Sequence, residues 1–328
     1  GVGEAEFGRK PVYLAINPDR FYVVGLNIAR DRCVCGIVNL KGEHVLSEEV
    51  HIENVYNSEE AIIVIEKAIS DIIKRTEIDP GKFLGIGISA PGPIDSINGT
   101  ILNPPNFPMW HNVNIVREIK KRFPYDVYLE NNANALALAE RDYGAGIGLK
   151  YFMLLVVDTG IGAGIITDSR LYRGIGGFGS EVGHTSIDFN GLKCDCGNKG
   201  CLETYASIPS LIRNMKLREY GINSWREIAD RAETGDKFCQ EVIDREALYL
   251  SAAIINVINI LELEAVILAG YINYRPGLLL RRLRENIENS VINRNARSVN
   301  ILNSSIREHA EIISAASIVM DKYFNFSF

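Results

Sequence analysis

His184, Cys194, Cys196 and Cys201, in the string HTSIDFNGLKCDCGNKGCLE, are spaced H-x9-C-x-C-x4-C, and no other feature constrains the chain as tightly. One imidazole and three thiols at that spacing make a closed tetrahedral donor set suited to structural zinc, so the segment must fold back on itself. Gly197 and Gly200 supply the backbone freedom for two short ligand loops around one ion. The competing reading is a group of buried or disulfide-linked cysteines. Three of the six cysteines crowd into residues 194–201, however, and Cys194 and Cys196 are too close in sequence for an easy bridge. Cys33, Cys35 and Cys239 stand apart and read as small buried apolar side chains.

A chain of 328 residues exceeds the usual limit of one hydrophobic core, so two lobes are expected. No apolar run approaches a membrane span and no signal-peptide pattern opens the chain, which reads as a cytoplasmic globular protein with no membrane partner. The net charge of -6 offers no basic face for gripping a phosphate backbone. The first residue is Gly1 rather than methionine, as in a fragment or a processed product.

Periodicity divides the chain into two α/β units. Residues 22–29, 33–40 and 44–52 are β-rich runs with short polar turns, an antiparallel meander. Ser58 is expected to cap a helix through about Arg75, because Ala61, Ile62, Ile65, Ala68, Ile69 and Ile72 recur at helical spacing. FLGIGISA (83–90) reads as a buried strand, followed by a helix near 113–123 and the strand DVYLE (126–130). The second unit opens with a helix over 132–143 and the strand YFMLLVVD (151–158). TGIGAGII (159–166) then turns the chain into a further strand, and 168–174 reverses it again. A long helix over about 236–261, apolar on more than one face, the core strand AVILAG (265–270) and a helix over about 311–323 complete the reading. No internal repeat is visible.

GISAPGPID, LENNANALALAE, DTGIGAGII, GSEVGH and CDCGNKGCLETYAS occur in the order and spacing of the ROK family of sugar kinases and sugar-responsive repressors, which the chain resembles from about residue 11 onward. The resemblance implies an actin-like, ribonuclease H-like two-lobe α/β fold with a structural zinc loop at 184–203. Residues 21–130 with about 310–328 would form the small lobe, and 131–309 the large one. A monosaccharide would lie between the lobes, with ATP beside it in kinase members.

A pyranose presents many hydroxyls, so its pocket needs charged acceptors and amides on fixed backbone. Glu181 and His184 are three apart in SEVGH, and Glu203 follows the last cysteine by two residues, so a loop folded around zinc would gather all three. In the resemblance these positions contact sugar hydroxyls, the histidine serving metal and sugar through different ring nitrogens. Gly92, Asn131 and Asn132 match further sugar-contact positions, with Pro105 and Asn106 in a nearby loop. Taken singly, Glu181 and Glu203 could be ordinary exposed acids; their company argues otherwise.

The chain departs from the kinase pattern at three places. Family kinases use the aspartate of N-D-A-N as general base, whereas Asn131, Asn132, Ala133 and Asn134 stand here, and a carboxamide cannot take a proton near neutral pH. The D-x-G-G-T-K-like phosphate turn is replaced by Asn27, Ile28, Ala29, Arg30 and Asp31, so side chains fill the phosphate position and a carboxylate repels it. In LAGYI (268–272) only Gly270 remains of the glycines against adenosine. Thr159, Gly160 and Gly162 survive but also suit a tight strand turn. Catalytic parts act as a unit, so joint loss points away from ATP and Mg2+ and toward a non-catalytic sugar sensor.

Residues 3–19 resemble the junction in ROK repressors, where a winged-helix wing ends in G-R-(R/K)-P. Residues 1–20 are therefore expected to be the remnant of a linker from a winged-helix segment that binds operator DNA and is absent here. The expected protein is the effector-binding, homodimeric or homotetrameric part of a ROK-type repressor. An ATP-dependent sugar kinase of glucokinase type is the alternative, and a storage sugar-binding protein a third.

Overall fold

The computed structural model describes residues 15–52, 55, 57–105, 107–292 and 298–324. The expected G-R-K-P junction and Asn106 lie outside the described residues.

The chain opens with the expected meander: β1 (Tyr22–Ile28), β2 (Arg32–Asn39) and β3 (His44–His51) pair antiparallel in sequence order. Helix α1 (Ser58–Arg75) buries the six residues read as its apolar face. Its cap is Asn57, not Ser58: the Asn57 side chain accepts the Glu60 N–H at 2.9 Å, while Ser58 is already helical. The carboxamide oxygen one residue upstream reaches the third N–H of the helix, which is the geometry capping requires. The crossover returns to β4 (Phe83–Ala90). After the small hairpin β5 (Ile94–Asp95) and β6 (Thr100–Ile101), helix α2 (Ile115–Arg122) leads to β7 (Asp126–Asn131). The first sheet has the order β3-β2-β1-β4-β7, with β4 and β7 parallel to β1.

Helix α3 (Asn132–Tyr143) starts where β7 ends. The second half then repeats the scheme. Strands β8 (Phe152–Val157), β9 (Ile161–Thr167) and β10 (Arg170–Leu171) form another meander. Helices α4 (Glu203–Ala206), α5 (Ile208–Asn214), α6 (Trp225–Glu233) and the 25-residue α7 (Lys237–Leu261) follow. Then come β11 (Ala265–Ala269), α8 (Gly277–Glu288), β12 (Asn300–Asn303) and α9 (Ala310–Phe324). The second sheet has the order β10-β9-β8-β11-β12, with β11 and β12 parallel to β8. Two meanders, each continued by two parallel strands, constitute a topological repeat that no similarity of residues disclosed. Strand β12 and the β5–β6 hairpin escaped the periodicity reading because they span four and two residues.

The glycines of TGIGAGII do not all serve a turn. The reversal falls at 158–160, while Gly162 lies within β9, where a side chain would come within 3.1 Å of the Ala133 methyl group on α3. Close helix-on-sheet packing therefore accounts for this glycine. On the first sheet, α1 covers one face with Ile65, Ile69 and Ile72 against Leu26, Cys35 and Ile86. Helix α9 covers the other, where Val23, Val34 and Val38 meet Ile312, Ala316, Val319 and Met320. Gly36, Gly25 and Gly87 are in register across β2, β1 and β4, and Cβ atoms at Gly25 and Gly87 would strike the α9 backbone at Ile312 and Ala315. The glycine row forms the seat of the helix.

Candidate sugar and metal site

The segment 184–203 is held by its own backbone before any ion is considered. Ile187 N–H donates to Gly200 O at 2.8 Å, Cys194 N–H to Asn198 O at 2.9 Å, and Leu202 N–H to Thr185 O at 3.0 Å. Gly200 has φ +72° and presses so closely on Asp188 O that a Cβ has no room. The ligand atoms of His184, Cys194, Cys196 and Cys201 all lie within 4.8 Å of one another. Cys194 Sγ is 3.7 Å from His184 Nδ1, and Cys196 Sγ is 3.6 Å from Cys201 Sγ. A zinc tetrahedron built from ordinary Zn–S and Zn–N bonds has edges of about 3.6–3.8 Å, which these two distances match, and the remaining donors are within an ångström or so of that spacing. Burial pushes the Cys201 thiol up to about 12 and raises that of Cys194, whereas the Asn198 backbone N–H lowers that of exposed Cys196, so the two buried sulfurs are the ones that resist ionising. A bound cation would supply the missing charge. With Nδ1 turned to the sulfurs, Nε2 of His184 is on the opposite side of the ring.

The backbone of Ile161 joins the two ends of that segment. Its N–H donates to Glu203 Oε2 at 2.8 Å, and its carbonyl lies against Gly183, in the short turn Val182–His184. Glu181, His184 and Glu203 are thereby gathered, as the spacing predicts. Glu181 is solvent-accessible, yet desolvation by the surrounding protein raises its carboxyl pKa, assisted by Glu203 and opposed by His184.

Asn131 and Asn132 lie where β7 passes into α3. Asn131 caps α3, its Oδ1 accepting the Ala133 N–H at 2.9 Å, and a Cβ on Gly92 would meet its Nδ2 at 2.8 Å. Asn132 Oδ1 accepts from Asn27 Nδ2 at 3.2 Å, and the same Nδ2 lies 2.9 Å from Ser89 Oγ. The contact of Gly162 with Ala133 brings this corner to the start of β9, one residue from Ile161. Gly92, Asn131, Asn132, Glu181, His184 and Glu203 thus belong to one connected region, linked through β9.

The kinase-type positions have other occupations. Asn27 is buried at 6% exposure and engaged with Asn132, Ile28 is wholly buried, and Ala29 N–H donates to Arg32 O at 2.9 Å, closing the turn that carries Arg30 and Asp31. Thr159 N–H donates to the Asp158 carboxylate at 2.7 Å, and Gly160 sits where a Cβ would come within 2.8 Å of Glu203 Oε2. Gly270, at φ +88°, would place a Cβ 2.5 Å from Val157 O, so strand packing alone requires glycine there.

Sequence reading missed the residues that support this region. Glu130 accepts the Asn131 N–H and Asn134 Nδ2, each at 3.0 Å, and Arg173 Nε at 2.7 Å. Glu140, wholly buried on α3, accepts Ser304 Oγ at 2.6 Å and the N–H groups of Ala145, Ser305 and Ile306. Glu130 is followed by two asparagines and Glu140 by Arg141 and Asp142, so neither announces its burial locally.

The two repeated α/β halves and the Cys3His loop define the class: a two-lobe α/β protein with a candidate structural metal loop. The profile of the ROK family matches residues 23–322, and the chain belongs to that family. It is 33% identical to the xylose repressor of Bacillus spizizenii over 98% of this chain and 83% of that protein. It is 32% identical to the glucokinase of Thermotoga maritima over 92% of this chain and 98% of that protein. A crystal structure of a ROK family transcriptional regulator, a homologue of the Escherichia coli MLC protein, superposes with a TM-score of 0.82 at 26% identity, covering 92% of this chain and 78% of that one. Both regulators and sugar kinases are therefore among its relatives. Among the described residues no helix is long and apolar enough to cross a membrane.

Proposed function

We propose that this chain is the effector-binding and oligomerisation part of a sugar-responsive ROK-type transcriptional regulator. A monosaccharide would bind between a lobe of residues 21–130 with about 310–328 and a lobe of 131–309. Gly92, Asn106, Asn131, Asn132, Glu181, His184 and Glu203 would contact it. Carboxylates at Glu181 and Glu203 accept from sugar hydroxyls, the carboxamides both donate and accept, and His184 Nε2 completes the set. Zinc held by His184, Cys194, Cys196 and Cys201 would fix the loop that carries Glu203. Sugar can act as a signal only by preferring one lobe arrangement over another. Operator DNA and homodimer or homotetramer assembly belong to this reading, as the resemblance to repressors implies.

One observation carries it: at the corner where a general base would stand, Asn132 is a carboxamide already engaged with Asn27, on the strand that runs into the turn closed by Ala29 and Arg32. The likeness to a glucokinase favours the second reading, an ATP-dependent sugar kinase. Incubation with Mg-ATP and D-xylose, D-glucose and N-acetylglucosamine separates the two, with D-xylose first because of the xylose repressor relative. Sugar-dependent thermal stabilisation without phosphorylation is expected, and enzymatic turnover would overturn the sensor reading. Asn132→Asp is expected to leave turnover absent, because the closed phosphate turn is unchanged by it.

A further inference from the structure

Arg173 follows β10 and begins the path to Glu181. Its carbonyl accepts the Gly179 N–H at 3.0 Å, so residues 173–179 form a closed loop whose neck lies two residues before Glu181. A Cβ on Gly179 would stand 2.9 Å from the Arg173 carbonyl carbon, so the neck is as narrow as two backbones allow. The far side of the loop rests on the β5–β6 hairpin, where a Cβ on Gly177 would meet Ser96 Oγ at 2.8 Å.

The Arg173 side chain leaves this neck and bridges two acids from different parts of the chain. Nε donates to Glu130 Oε2 at 2.7 Å, and Nη2 lies 3.2 Å from Asp321 Oδ2. The Glu130 and Asp321 side chains are 2% and 4% exposed. The second oxygen of Glu130 holds Asn131 N–H and Asn134 Nδ2, the entry to α3. The second oxygen of Asp321, on α9, accepts Arg141 Nη1 at 2.7 Å. Arg141 is in turn bound through Nε and Nη2 to Asp142, at 2.7 and 3.0 Å. A surface ion pair would contribute little, but here two carboxylates are removed from water and the arginine answers both. The planar fork matters: a lysine ammonium supplies the charge from one point and cannot span two acids in the same way.

We propose that Arg173 is a positioning residue of the sugar site: by bridging Glu130 and Asp321 it sets the Glu181 loop and the Asn131–Asn132 turn in one register and ties both to α9. The inference rests on the reading of Glu181, Asn131 and Asn132 as sugar contacts. Arg173 itself is not asked to touch the ligand.

Hydrogen exchange on zinc-loaded Arg173→Lys tests the tether without any sugar. Amides of residues 174–184 are expected to exchange roughly tenfold faster than in the wild type, with those of α7 unchanged. Unchanged exchange over 174–184 overturns the proposal. The same variant is titrated with D-xylose and D-glucose well below its own melting temperature, with about a tenfold loss of affinity expected in addition to the stability lost when two buried carboxylates lose the arginine fork. A merely structural role would lower the melting temperature and leave the affinity of the folded protein intact, and unchanged affinity overturns the proposal. Should the wild type bind neither sugar while the variant loop loosens, the sugar reading fails and the tether stands. If Arg173→Lys does not fold, Asp321→Asn keeps the Glu130 contact and is expected to raise exchange in α9 and, less, in 174–184; no change in either overturns the link.

Discussion

Glu246 shows at the scale of one residue how far a side chain can depart from its sequence appearance. It sits wholly buried on α7 among Val242, Ile243 and Leu250, and neither carboxyl oxygen has a hydrogen-bond partner among the described residues. Burial raises its pKa well above the ordinary glutamate range. The folded state keeps this proton at pH values where the unfolded chain has lost it, so stability falls as pH rises from the ordinary glutamate value toward the folded one. Glu246→Leu is expected to raise stability at about pH 8 by on the order of 2 kcal/mol and to flatten the loss between about pH 5 and 8. Urea unfolding at both pH values checks it, and equal stability of variant and wild type at the higher pH contradicts it. The cysteines behave in the opposite way, since their spacing alone announced their grouping. Cys201→Ser is expected to abolish stoichiometric zinc measured by atomic absorption, while Cys33→Ser, outside the cluster, leaves it unchanged.

Among the elements, α9 and the sheet beneath it are matched by omission of side chains. Gly36, Gly25 and Gly87 look unremarkable in three separate strands, and only their register turns them into a seat. Gly87→Val places side-chain atoms into the α9 backbone at Ala315 and is expected to destabilise the protein by about 3 kcal/mol, the cost of an overpacked core. Thermal unfolding measures this, and a variant as stable as the wild type would show that the helix can shift freely. The same elements mark what the sequence disclosed. Helix α1 was legible down to its six buried residues because eighteen residues of 3.6 period leave little choice of face. Strand β12, with four residues, carries too few for any period, and its place beside β11 depends on pairing across the lobe. The capping residue of α1 differed by one position, since Asn57 and Ser58 are both capping types and only backbone geometry chooses.

In the whole molecule, two sheets of the same order stand in one chain, and α3, β9 and α9 join what each half contributes to the candidate site. Sugar present at a hundredfold over its Kd is expected to stabilise the protein by about 2.7 kcal/mol, a rise of a few degrees in melting temperature. Chelation of zinc is expected to remove most of that sugar-dependent rise while far-UV circular dichroism stays near native, because Ile161 and the strands around it do not depend on the metal. An undiminished rise after chelation would separate the metal from the site. The sequence by itself determined the Cys3His set, the long periodic helices and strands, the family, and the absence of a carboxylate at Asn132. These are written in short-range spacing or in side-chain chemistry. Only the tertiary structure decided that Glu203 holds Ile161, that Asn27 reaches Asn132, that three glycines seat one helix, and that Arg173 joins Glu130 to Asp321. Each of those pairs spans tens to more than a hundred residues, and the identity of a partner at such range is set by tertiary packing within and between the two halves rather than by any local pattern.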